Sequence, residues 1–411
     1  MAIEILNRKT RLGILQQSKA SNHWAAPKDE TANFITLATN AGVPVPDPNI
    51  VRNEINYLAA NGVMAEASRS FIDSVSGLKA INFSDYAIKQ QIAMHLAAMF
   101  QVVSEGVTGV TIDLDDGNPE CAVTNGEITD LAVGQTIAID GVTFGGESTT
   151  TIQTIGEGVI ILTDAPDSTV SDAPVIVLDY PKSFTFYDGN LDFAANGGYL
   201  FTLAFREDVT SGGKLLLNSI MDAYSLSINN EGNGTERLLM EEGTYKGNKM
   251  LTGKTFSGTW TSFPTTKTFY KDFTLNLTYN GVAYNSVCWK NFKLDFTANV
   301  TPICNVNGKA GNYLVTITPE CTIEIPYNDT TKEIFNDYIE GDVTCGIEFF
   351  NTVTKGKVDG DLWIGFTGEL TANPFLNSGE YNRLRLTIKP LRPTAGWGTV
   401  LKMSDKIDWG F

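Results

Sequence analysis

Residues Gly247 to Thr255 read GNKMLTGKT, two glycines followed by a Lys–Thr pair. Those residue types can cradle a nucleotide phosphate: backbone N–H groups of a glycine loop point at it, and a lysine neutralises it. The glycines stand one residue too far apart, however, and Phe256 to Phe263 lacks the periodicity of the helix that this chemistry needs. A turn carrying a lysine and a threonine is the expectation. Asp113, Asp115 and Asp116 ahead of Gly117 offer the hard oxygen ligands of a calcium loop. The glycine comes one position early and no glutamate closes the loop, so an acidic hairpin turn is expected instead. There are two histidines. His95 falls between Ile92 and Met99 on an apolar stripe and is expected in the core; His23 lies in a polar stretch beside Trp24. The adjacent Glu241 and Glu242 could serve as a glycosidase carboxylate pair, but nothing selects them over other acids. No GxSxG elbow, HExxH motif or paired-cysteine metal spacing occurs. Cys121, Cys288, Cys304, Cys321 and Cys345 are odd in number, which suits reduced thiols made in a cytoplasm. Asn-x-Thr at Asn233, Asn276, Asn299 and Asn328 is read as composition, since Arg8, Lys9 and Arg11 break any leader-like apolar run. No catalytic residue, cofactor-binding residue or metal ligand is assigned, and the chain is not expected to be an enzyme.

The elements that could position any site are mostly strands. The clearest helix lies within Leu78 to Gln101. Ser84 is its expected N-cap, Asp85 meets the positive end of the dipole, and Ile88, Ile92, Leu96 and Met99 form its apolar stripe. Lys89, Gln90 and Gln91 are expected to face away from that stripe. Leu78 to Phe83 reads as a short preceding strand. A similar unit recurs later. Tyr313, Val315 and Ile317, then Cys321, Ile323 and Ile325, alternate as a half-buried strand. Asn328 or Asp329 is expected to cap a helix bearing Ile334, Phe335, Tyr338 and Ile339, which Gly341 stops. Long small-residue loops, Arg52 to Ser70 and Ala298 to Asn312, precede the two units. The shared pattern suggests an internal duplication.

Alternation in 201–206, 224–229, 273–279, 292–296 and 384–389 predicts two-faced antiparallel strands, with Asn280-Gly281 as a hairpin turn. Between 107 and 181 short apolar strands alternate with the turn signals Asp116-Gly117, Asn125-Gly126, Asp140-Gly141 and Gly156-Glu157-Gly158. This stretch predicts a small inserted β-domain, a barrel or sandwich, whose ends lie close together. Residues 1–50 start with a strand candidate, Ile3 to Ile14, and continue as an arm in which Pro44, Pro46 and Pro48 enforce extended backbone.

A net charge of −17 argues against a protein that grips a nucleic-acid backbone, which needs Lys and Arg. It permits DNA to pass by without being trapped. No apolar run reaches membrane-spanning length.

Three stretches together are similar to a known family. VRNEINYLAANGVMAEASRSF with GLKAINFSDYAIKQQIAMHLAAMF gives strand, long loop, strand and helix. SFTFYDGNLDFAANGGYLFTLAFREDVTSGGKLLLNSIMDAYSLSINNEG follows as strand, turn and strand. VCWKNFKLDFTANVTPICN with YLVTITPECTIEIPYNDTTKEIFNDYIEG repeats the first pattern. The chain resembles the tail tube (major tail) proteins of long-tailed, siphovirus-like bacteriophages over most of 1–106 and 182–390. The resemblance implies a mainly β protein with tandem sandwich or barrel units, each with one helix. The first unit would comprise 1–106 and, with a connection, 182–249; the second would comprise 250–411; 107–181 would be inserted. It further implies a structural virion protein, assembled in the host cytoplasm and located in the virion tail. Copies of the chain would form rings, a trimer of duplicated units or a hexamer, that stack into a tube and meet other phage tail proteins. DNA would pass through a net negative or neutral lumen without specific binding, and the loops before each unit would bridge stacked rings. No membrane or cofactor is implied. A tail-fibre or surface adhesin of Ig-like modules, and a β-sandwich glycan hydrolase, are the alternative readings of the same strands.

Overall fold

The structure, a computed structural model, describes residues 11–16, 28–37, 51–54, 57–58, 64–65, 70–73, 78–104, 107–179, 181–185, 200–207, 212–230, 237–247, 249–262, 271–306, 309–341, 344–372, 374–378, 381–390 and 399–404. The fold is mainly β. Six long strands pair antiparallel in the spatial order Leu78–Tyr86, Met240–Gly247, Gly213–Asn229, Asn291–Val306, Lys309–Pro326 and Tyr381–Pro390. A second antiparallel run follows the order Gln101–Ser104, Lys182–Thr185, Thr399–Met403, Leu362–Leu370, Thr344–Phe350, Thr274–Tyr279 and Val282–Tyr284. The runs join where Gly368 to Leu370 pairs with Ile388 to Pro390. They face each other across one core, in which Phe349 stacks on Phe292 at 3.9 Å and Phe100 meets Phe296 edge-on at 4.9 Å. Alternation fills it as the sequence requires. Tyr224, Leu226 and Ile228 are buried, as are Leu275, Leu277 and Tyr279, while their neighbours reach the other face.

The strand Gly213–Asn229 bends midway. Its first part pairs with Phe201–Arg206 and Lys249–Lys254, its second with Met240–Gly247 and Asn291–Val306. Asn218, at φ 51°, sits where the register shifts, and asparagine tolerates that left-handed conformation better than most residues. A small aromatic cluster of Phe34, Phe256 and Trp260 covers the far side of the first part. Consequently Phe201–Arg206 is buried on both faces rather than one. The expected strand Ile3 to Ile14 is described only as Arg11–Gln16, and the proline arm lies outside the described residues.

Two helices occur among the described residues. The first spans Lys89–Ala97, four residues later than expected, because the strand before it continues to Tyr86. Ser84 and Asp85 therefore lie in that strand, opposite Glu242 and Glu241, and cap nothing. Ile88 precedes the helix in an extended conformation. All nine helical residues are buried. Lys89, Gln90 and Gln91, expected on a solvated face, are inside, with Lys89 ion-paired to Asp359. The second helix, Lys332–Glu340, follows the expected layout more closely. Its N-cap is Thr331, without a side-chain cap bond, rather than Asn328 or Asp329; Asn328 Oδ1 accepts the N–H groups of Thr330 (2.9 Å) and Thr331 (3.1 Å) in the turn just ahead, and the Gly341 N–H donates to the Asp337 carbonyl. Ile334 is buried and Phe335 and Tyr338 lean on the core, but Ile339 is 67% exposed. Neither helix is long and apolar enough to cross a membrane.

Residues Val107–Val177 close into a six-stranded barrel with its own core of Val110, Ile112, Leu114, Ile137, Phe144, Ile152 and Ile160. Its turns are the ones the sequence marks, since Gly117, Gly126, Gly141 and Gly158 all have φ between 74° and 86°. The strands on either side are paired, Ser104 with Lys182, so the chain leaves and re-enters at neighbouring points. Asn280 (φ 44°) and Gly281 (φ 80°) likewise form the expected tight hairpin.

The two long loops are the largest departure. Val51–Glu54 pairs antiparallel with Ser70–Asp73, and Tyr57–Leu58 with Met64–Ala65, so the described parts of the first are paired strands. The second is the end of the hairpin Asn291–Val306 and Lys309–Pro326, with Ile303 opposite Gly311 and Val306 opposite Lys309. Weak β-formers such as alanine and asparagine are held extended by backbone pairing with a partner strand, which composition does not reveal.

Candidate functional site

The six-stranded run buries one face and presents the other to solvent. Inward go Phe292, Leu294 and Phe296, Cys321, Ile323 and Ile325, and Leu384, Leu386 and Ile388. Outward go short polar and charged side chains, because alternate residues of a strand point to opposite faces. A concavity of about 400 Å³ lies on this outer face, lined by Ser225, Glu242, Thr244, Lys293, Asp295, Thr297, Thr318, Glu320 and Lys389. Register places Glu242, Ser225, Asp295 and Glu320 in one row across four strands. Asp295 and Glu320 stand directly opposite each other, an unfavourable arrangement for like charges. It is relieved on both sides: Lys293 Nζ lies 2.8 Å from Asp295 Oδ1, and Lys389 Nζ lies 3.8 Å from Glu320 Oε2.

The remaining cations of the face are placed in the same way. Lys246 Nζ lies 2.8 Å from Asp222 Oδ1. Arg385 donates to Glu324 Oε1 through Nη2 (2.6 Å) and Nε (3.0 Å), while Asn291 donates to Oε2 at 2.8 Å and Arg383 stands 4.0 Å away. Burial alone would raise the Glu324 pKa; the hydrogen bonds from Arg385 and Asn291 outweigh it and hold the carboxyl below its ordinary value.

The overall acidity is not on this face. Thirteen of the 47 Asp and Glu residues, and none of the 30 Lys and Arg, fall within 107–181. That segment carries −13 of the −17, which leaves −4 for the rest of the chain. The net charge therefore belongs mainly to 107–181, and the charges of the sheet face are paired.

The residues singled out for chemistry are dispersed. Gly247 ends one strand and Lys249–Lys254 forms another, with Lys254 3.1 Å from Glu30 Oε1; the described residues that follow, 255–262, hold no helix. Asp113 accepts the Asp172 N–H at 2.9 Å and Asp116 donates its N–H to Thr169 Oγ1, so both tie the first barrel strand and its turn to the start of Val170–Val177, the strand paired with it. Among the described residues no group of three or more His, Cys, Asp or Glu is arranged around a metal position. Glu241 and Glu242 point to opposite faces: Glu241 is buried, Glu242 lines the concavity, and they cannot flank one bond. Cys121, Cys321 and Cys345 are buried free thiols and Cys288 an exposed one; burial pushes Cys345 up to about 12. Asn276 and Asn328 hold turns through their side chains. His23, Asn233 and the side chains of Asn299 and Cys304 lie outside the described residues.

His95 is in the core, as expected. Its Nδ1 lies 2.7 Å from the Tyr245 hydroxyl, and its ring lies 5.7 Å from those of Tyr224 and Tyr245. The Tyr224 hydroxyl donates to Glu241 Oε2 at 2.8 Å. Burial drives the His95 pKa down to about 3 and the Tyr245 pKa well up, the latter helped by Glu241. This pocket is sealed, so it braces the helix against the sheet rather than meeting a ligand.

Sequence reading missed a second organised site. Asp361, 2% exposed, accepts hydrogen bonds from Thr352 Oγ1 and Thr354 Oγ1 (both 2.5 Å) and from the N–H groups of Gly356 (3.2 Å), Lys357 (3.1 Å) and Val358 (3.0 Å). The loop so folded touches three bodies. Lys357 bonds to the Thr129 carbonyl and accepts from Gln135 Nε2 (3.0 Å) on the barrel; Asp359 holds Lys89 of the first helix; Gly356 accepts from Ser404 beside the last strand. The only hint in the sequence is the run of threonines and glycines ahead of one aspartate. No known family model matches the chain, and no curated protein is similar to it.

Proposed function

We propose that this chain is the tail tube protein of a long-tailed phage, forming homo-oligomeric rings that stack into a conduit for DNA. The observation that carries the reading is the two-faced six-stranded run. One face seals a core, while the other is a continuous surface of short polar and charge-paired side chains. Its outermost strand, Leu78–Tyr86, pairs on one edge alone among the described residues. An unpaired strand edge invites a strand from another chain, and closing such edges around an axis makes a ring.

Repetition supports the tandem form. In both helix-bearing segments the strand before the helix lies in the first run and the strand after it in the second: Leu78–Tyr86 and Gln101–Ser104, then Lys309–Pro326 and Thr344–Phe350. Ahead of the first stand the strand pairs 51–54/70–73 and 57–58/64–65, and the second begins with an arm of the long hairpin Asn291–Val306/Lys309–Pro326; in this reading both reach a neighbouring ring. With two units per chain the ring is a trimer; with one unit lining the pore it is a hexamer. The acidic barrel stands on the outside in this reading, attached through its paired ends and the Asp361 loop.

Electron microscopy of the purified chain tests this directly. Rings with an axial pore, and tubes at high concentration, are expected, and light scattering gives the subunit count. Monomers that form neither at any concentration would overturn the reading and favour a β-module adhesin.

A further inference from the structure

We propose that the carboxylates of the sheet face act as internal phosphate mimics, occupying its cations so that passing DNA finds none to bind. The inference rests on the conduit reading for the identity of the polyanion, but its geometry is independent of assembly. Five cations stand on the described face: Lys246, Lys293, Arg383, Arg385 and Lys389. Each has a carboxylate oxygen within 4.0 Å, from Asp222, Asp295, Glu324 or Glu320. Arg385 directs two guanidinium N–H groups, Nε and Nη2, at the single oxygen Oε1 of Glu324, donors that would otherwise be free for a phosphate oxygen.

The alternative roles of these pairs are weaker explanations. Exposed ion pairs contribute little to stability, and Lys293 is half exposed, Lys389 likewise. Placing Asp295 opposite Glu320 works against the sheet. Neutral residues would give a more stable face, and acids alone would repel DNA without any lysine. Paired charges give a hydrated surface with almost no net field, along which a polyanion neither sticks nor is repelled. Unmasking the cations converts the same surface into a phosphate-binding one, since each neutralised phosphate releases condensed counterions.

The test is a fluorescence-anisotropy titration of a labelled DNA duplex with the full chain and with D295N/E320Q/E324Q, at several salt concentrations. The barrel is identical in both proteins, so its charge cancels in the comparison. The wild type is expected to show no saturable binding at about 50 mM salt. The variant is expected to bind saturably, at least about tenfold more tightly than the weakest affinity the titration can read, with a log–log salt slope of about −0.9 per phosphate contacted. Because Glu324 is nearly buried, D295N/E320Q alone supplies the second variant, and circular dichroism confirms its fold. A folded variant that binds no better than the wild type overturns the proposal, as does a wild type that binds tightly. Tubes in micrographs without that gain would leave the conduit reading standing and remove only the masking.

Discussion

Replacing Asp361 with alanine is expected to lower the stability of the chain outside the barrel by about 3–5 kcal/mol. The carboxylate satisfies two hydroxyls and three backbone N–H groups in a loop whose centre is closed to water. Removing it leaves several donors without acceptors, and each buried one costs about 1–3 kcal/mol, less where water enters. The loop cannot shift to compensate, because a Cβ at Gly356 would already lie 2.5 Å from that of Lys402. D361N should cost less, since its amide oxygen still accepts while its NH2 faces donors. Urea unfolding followed by tryptophan fluorescence reads the effect. All six tryptophans lie outside 107–181, so the signal excludes the barrel. An unchanged midpoint in D361A would show that water replaces the carboxylate without loss. A second consequence is local: Lys357 and Gln135 lose their fixed geometry, and the barrel should gain mobility, read as faster proteolysis at its joints.

Much of this architecture is legible from residue patterns because it depends on near neighbours. Strict alternation in 224–229, 275–279 and 292–296 assigns each side chain to a face, and Asn280-Gly281 and the barrel glycines mark turns that only positive φ can make. The failures share one cause, a partner distant in the chain. Lys89 is buried because Asp359, 270 positions away, receives it. Ser84 reads as a cap because a serine before an apolar stripe usually is one, yet Met240–Gly247 holds that backbone extended. The paired strands at 51–73 and 298–312 looked like loops because their residues are small, and strand pairing is written in backbone groups rather than side chains. The charge-paired face was half legible. Alternation shows which residues point outward, but only the register sets Asp295 against Glu320 and Arg385 against Glu324. Asp361 carried almost no signal, since its partners are mainly main-chain amides.

Mild acid is expected to destabilise the protein through a single group. His95 is fully enclosed by the helix, Tyr224 and Tyr245, and burial lowers its pKa from 6.5 to about 3. The unfolded chain then binds a proton that the folded chain refuses, so stability falls as pH drops through the unfolded pKa and keeps falling until the folded one. The slope approaches about 1.4 kcal/mol per pH unit, which gives a loss of about 2 kcal/mol by pH 5. At that pH carboxylates contribute little: Glu324 and Glu348 are held below their ordinary value of 4.5, and their stabilisation is lost at lower pH. A full pH unit or more above the ordinary value of 6.5 the histidine is neutral in both states and the curve should flatten. H95Q removes the titration and keeps a side chain that can bond to Tyr245. It should be less stable than wild type at neutral pH through imperfect packing, yet lose almost nothing between pH 6.5 and 5. His23 is unchanged in both proteins, so its titration cancels. Urea midpoints across that window decide the matter. Parallel curves for wild type and H95Q would mean that the pocket admits a proton, by opening or by passing it to Glu241 through the tyrosines, and that the helix is not sealed against the sheet.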